Sequence, residues 1–117
     1  MNRLDIALQW LQALGRRDLI GLLALSASDI TLFGVLTLAA VRGNERLREW
    51  FGTTELLVEP REAYLRDDRI LLIDARGACV LTVADGLVTS FLRDERPQPL
   101  IHQGFRGVRP IILGTAS

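Results

Sequence analysis

Asp29–Phe51, DITLFGVLTLAAVRGNERLREWF, changes character along its length. Ile30–Phe33 reads as a strand. Gly34 through Ala40 is apolar without a clear period, so it either continues that strand or forms a packed loop. Gly43 and Asn44 open a helix that ends at Gly52, and the spacing of Leu47, Trp50 and Phe51 turns those three inward. The segments before this stretch read as helices and those after it as strands. That order decides the fold.

Upstream, Leu4–Leu14 has helical spacing. Leu4, Ala7, Leu8 and Leu11 share one face, while Ile6, Trp10 and Leu14 share the adjoining one. Asn2 is placed to cap its start, Asp5 sits in the first turn where a negative charge is favoured, and Gly15 closes it. Asp18 is placed to cap a second helix from Leu19 to about Leu25. Ser26–Asp29 is polar and reads as a turn.

Downstream, four strands are expected. They are Thr54–Leu65, with Pro60 at an edge or bulge, then Ile70–Ala75, Ala78–Val83 and Leu87–Leu92. Asp67-Asp68, Arg76-Gly77 and Asp85-Gly86 are the turns, the last a strong hairpin signal. Ile70–Ile73 and Cys79–Leu81 are apolar on both faces, so the sheet must be covered on both sides. Helices cover one side, and a second copy of the chain is expected on the other. Pro97 and Pro99 are expected to end the regular pattern, leaving a single domain over residues 1–100 and a C-terminal tail over 101–117.

The chain has 117 residues, the size of one domain, and 49% are apolar, enough for one core. Fourteen basic residues balance fourteen acidic ones, so bulk charge argues against nucleic acid or an anionic membrane as partner. Every basic residue is Arg, which fits a GC-rich genome or, where the arginines share one surface, selection for fork-shaped carboxylate or phosphate contacts. The N-terminal run carries Asp5 and Gln9, which does not fit a signal peptide, and Ile30–Val41 is too short to span a bilayer. The reading is a soluble cytoplasmic protein.

Three segments, RRDLIGLLALSASDITL (16–32), VRGNERLREWF (41–51) and VADGLVTSFLRDERPQPL (83–100), carry a resemblance in order and spacing. They resemble the nuclear transport factor 2-like superfamily, and within it the SnoaL-like and ketosteroid isomerase-like proteins. The resemblance covers roughly residues 4–100. It implies an α+β cone in which three N-terminal helices pack in the concavity of a strongly curved, mainly antiparallel sheet. It also implies a mostly apolar conical pocket and a homodimer through the outer sheet face.

The resemblance allows catalysis to be asked position by position. A proton-moving carboxylate on the first strand falls on Gly34, a hydroxyl donor on the first helix falls on Trp10, and a protonated acid on the penultimate strand falls near Cys79. Glycine has no acceptor, indole only donates and a thiol donates poorly. Isomerase chemistry of that type is not expected.

The lone His102 lies in the tail, and with the lone Cys79 it offers neither a catalytic dyad nor a metal set, so no cofactor and no metal are expected. The candidate ligand pocket is Trp10, Leu14, Phe33, Gly34, Trp50, Cys79, Phe91 and Arg93, although Trp10, Phe33, Trp50, Phe91 and Cys79 need no explanation beyond plain core. The expected function is binding of a small hydrophobic molecule. Two alternatives stand beside it. One is an isomerase, cyclase or dehydratase with Asp29, Asp74, Arg76 or Arg93 as acid/base groups. The other is a non-catalytic dimerisation or accessory module.

Overall fold

The computed structural model describes residues 2–33 and 40–113. Helix α1 (Arg3–Gly15) starts where Asn2 Oδ1 accepts the Asp5 N–H at 2.8 Å. Helix α2 (Leu19–Ala24) starts where Asp18 accepts from Gly21 N at 2.9 Å. Strands β1 (Ser26–Phe33) and β2 (Val41–Arg42) follow, then α3 (Asn44–Thr53). A meander of β3 (Glu62–Arg66), β4 (Arg69–Ile73), β5 (Ala78–Ala84) and β6 (Leu87–Asp94) leads into α4 (Pro97–Gly104) and β7 (Ile111–Ile112). The sheet order is β2-β1-β6-β5-β4-β3-β7, with every neighbouring pair antiparallel except β1–β6. It is the expected α+β cone: helices on the inner face of a curved, unclosed and mainly antiparallel sheet.

Alternation along the strands sorts residues between two faces. Leu32, Phe91, Leu81, Ile70 and Leu65 are matched or adjacent across β1, β6, β5, β4 and β3 and turn inward onto Trp10, Leu14, Leu47 and Trp50. A second cluster lies on the outer face. There Leu71 and Ala78 are buried under Leu100 and Phe105, with Tyr64, Ile73, Val80 and Leu92 around them. The sheet is apolar on both faces, and its second cover over β4 and β5 is the chain's own segment 97–108.

Three elements differ from the sequence reading. Thr54–Pro60 is irregular, and β3 begins only at Glu62. Leu56-Leu57-Val58 breaks the alternation a half-buried strand needs, and Pro60 has no N–H to donate. Ser26–Asp29 is the start of β1 rather than a turn, because the buried Ser26 sits opposite Val88 and an irregularity before Thr31 absorbs the polar residues. Pro97 and Pro99 open a helix instead of ending the pattern. Both lie in its first turn, where backbone N–H groups have no helical partner and a missing donor costs nothing. Helix α4 therefore runs through residue 100, Phe105 is 2% exposed, and β7 pairs with β3.

Candidate functional site

Among the described residues, three aromatics pack together inside the cone. Trp10 comes from α1, Trp50 from α3 and Phe91 from β6. Trp10 stacks on Trp50 at 6.1 Å, and Phe91 lies 5.0 Å from Trp10 and 5.4 Å from Trp50. All three are buried. The polar edge of Trp10 is satisfied: its Nε1–H donates to Ser26 Oγ at 2.8 Å, and Ser26 donates in turn to the Leu22 carbonyl at 2.6 Å. An indole held this way offers no free donor to a substrate oxyanion.

Cys79 shares the inner face, opposite Arg93. Burial pushes its thiol up to about 12; the Arg93 guanidinium opposes this and Asp74 adds to it. The thiol is therefore neither a ready nucleophile nor an acid at neutral pH. Arg93 stands at the end of the cone, two residues beyond Phe91, and grips Asp74 through two contacts of 3.3 Å. Asp74 Oδ1 also accepts the Arg76 and Gly77 N–H groups at 3.0 and 2.8 Å. Its carboxylate closes the β4–β5 turn. The glycine there is enforced: a Cβ on Gly77 would sit 2.6 Å from the Asp94 carbonyl oxygen. Asp29 and Arg76 are exposed. Among the described residues no group of three His, Cys, Asp or Glu is arranged to hold a metal.

Of the eight residues proposed for the pocket, Trp10, Trp50, Phe91 and Cys79 come together as packed core, Leu14 joins them, and Arg93 forms the rim. Phe33 does not belong with them. It sits opposite Leu92 on the outer face and is 41% exposed, because Leu32 takes the inward position and alternation sends Phe33 out. Gly34 lies outside the described residues.

Open space lies instead beside α1. A cleft of about 480 Å³ runs between α1 and the irregular segment 54–60. Its apolar floor is Leu8, Leu11, Leu57, Val58 and Pro60, and Asp5, Gln9, Gln12 and Arg16 line it from the exposed side of the helix. A second cleft of about 440 Å³ continues past Gly15 between Leu14, Arg17 and residues 52–57. Leu57 borders both and a smaller third cleft at Asp74. It is 54% exposed, and its Cδ1 lies 3.0 Å from where a Cβ on residue 15 would stand, so Gly15 gives it room. Arg17 fastens the start of the segment. Its guanidinium donates to the Phe51 and Thr54 carbonyls at 2.6 and 3.0 Å and lies 4.1 Å over the Phe51 ring. Reading 54–65 as a strand hid this groove. The run Leu56-Leu57-Val58 followed by Pro60 was the available signal.

Solved structures share this architecture. An NTF2-like protein of unknown function from Cytophaga hutchinsonii superposes with a TM-score of 0.72 at 16% identity, over 86% of this chain and 96% of that one. The fold is the nuclear transport factor 2-like cone. Within this fold, Rv0760c from Mycobacterium tuberculosis, in complex with estradiol-17beta-hemisuccinate, has a TM-score of 0.67 at 21% identity over 77% of this chain and 90% of its own. A computationally designed 17-OHP binder reaches 0.68 at 21% identity, over 78% and 90%. No protein-family model and no curated protein sequence matches the chain. No described helix of this NTF2-like cone is long and apolar enough to cross a membrane.

Proposed function

We propose that this protein binds a small hydrophobic molecule in the groove between α1 and segment 54–60, and that it does so without proton-transfer chemistry of the ketosteroid isomerase kind. The groove carries the reading. Its volume of about 480 Å³ is within the range of small-molecule sites, and its floor is apolar with a few polar groups at the edge. Two proteins of the same fold described with hydrophobic ligands support the ligand class. The chemistry at the centre supports the absence of catalysis. Trp10 is committed to Ser26, the thiol of Cys79 is held protonated, and the Asp74 carboxylate is held by Arg93 and the turn N–H groups. Native mass spectrometry and titration with estradiol, followed by Trp10 and Trp50 fluorescence, test the reading. Saturable binding that Leu8→Arg abolishes is the expected result. No retained mass and no saturable response would remove the ligand.

A second reading, an assembly module, rests on the filled cone and on what α4 leaves uncovered. Phe33 beside Leu92 is an exposed apolar end of the outer face, the surface offered to a homodimer in this reading. Light scattering decides it. A monomer at micromolar concentration sinks the dimer and this second reading together.

A further inference from the structure

We infer that the groove beside α1 is built for an amphiphile with one acidic group, the apolar body lying along Leu8, Leu11 and Leu57 and the acid meeting Arg16. The inference rests on the ligand-binding reading above and adds the ligand's polarity and direction. The two ends of the groove differ in charge. Asp5 lines one end and Arg16 the other, both exposed. They are eleven residue steps apart along α1 and its cap, about 16 Å at the α-helical rise. Arg16 has no hydrogen bond or ion pair to any described side chain. Its neighbours are otherwise engaged. Arg17 is spent on the Phe51 and Thr54 carbonyls, and Asp18 caps Gly21. A basic residue just past a helix C-terminus is favoured by the helix dipole alone, so the position of Arg16 does not by itself name a ligand. The second observation is the apolar floor that begins next to it. Leu57 packs against Gly15, one residue from Arg16, and Leu11 and Leu8 continue away from it toward Asp5. A carboxylate at Arg16 thus leads directly onto apolar surface. The same carboxylate at the Asp5 end would meet a like charge, and among the described residues lining this groove Arg16 is the one cation.

The test uses the full chain and two probes with one body: estradiol-17β-hemisuccinate, which carries a carboxylate, and estradiol, which does not. The hemisuccinate is expected to bind about two- to fivefold tighter, the size of one exposed charge contact. Arg16→Gln is expected to bring the ratio close to one, and raising the salt to do the same in the unaltered protein. Arg48→Gln, an exposed arginine on α3 away from the groove, is expected to leave the ratio unchanged. Equal binding of both probes overturns the inference and leaves the ligand-binding reading standing. A preference that survives Arg16→Gln overturns it as well. Binding of neither probe removes both.

Discussion

Single residues set what the interior can do. Ser26 is the buried polar side chain of the described core, and it exists there because it serves two groups at once: it accepts from Trp10 and donates to Leu22. Ser26→Ala leaves the indole N–H buried without an acceptor, a loss of about 1–3 kcal/mol of stability in urea unfolding. In a double-mutant cycle with Trp10→Phe, which removes the donor as well, the two losses add to less than their sum. Cys79 makes a prediction of the opposite kind. Its folded thiol is raised from 9.0 to about 12, so the unfolded chain ionises first. The thiol's contribution to stability is whole below pH 9 and is lost as pH climbs from 9 toward 12. Cys79→Ala is expected to flatten that part of the stability profile. The native protein is expected to resist iodoacetamide until denatured; rapid labelling of the folded chain would contradict the burial.

Elements divide into those legible from pattern and those that were not. Helices α1 and α3 announce themselves through Trp10, Leu14, Leu47 and Trp50 at helical spacing, and β4 to β6 through apolar runs and the Asp85-Gly86 turn. The site was less legible. Whether Phe33 or Leu32 faces inward is a matter of one-residue register, which periodicity over four residues does not fix. Whether a conical fold is hollow depends on how three rings from three elements meet, and spacing in the chain carries no such information. Segment 54–60 and α4 were hidden for another reason: their conformation is decided by partners distant in sequence. Arg17 holds the first, and the outer sheet face holds the second through Leu100 and Phe105. A prediction follows for α4. Phe105, just past its end, shares with Leu100 the cover over Leu71 and Ala78, so Phe105→Ala is expected to lower stability by about 3–5 kcal/mol. It is also expected to uncover apolar sheet that binds a hydrophobic dye and draws copies together in light scattering. An unchanged unfolding midpoint would mean that the segment lies on the sheet without supporting it.

At the scale of the whole molecule, the question is why a cone should be closed at its centre and grooved on its flank. The same curvature that makes a pocket also gathers side chains from opposite walls, and large rings there fill the volume a ligand would take. Trp10, Trp50 and Phe91 meet within 6.1 Å of one another. Their packing occupies the space between the helices and the sheet, and accessible apolar surface lies outward at Leu8 and Leu57. This view is open to a direct test. Phe91→Ala removes the ring that touches both tryptophans, at a cost of about 3–5 kcal/mol, and the walls left behind are apolar. A dry cavity of that kind takes up small aromatic molecules. Benzene is therefore expected to raise the melting temperature of Phe91→Ala and to leave that of the unaltered protein in place. By linkage, benzene at about a hundred times its dissociation constant restores close to 2.7 kcal/mol. If benzene stabilises the unaltered protein equally, the centre of the cone already has room for a guest, and the ligand site returns from the flank to the aromatic cluster. If it stabilises neither, the walls close around the missing ring, and the cone is held by collapse of the sheet onto the helices more than by the three rings themselves.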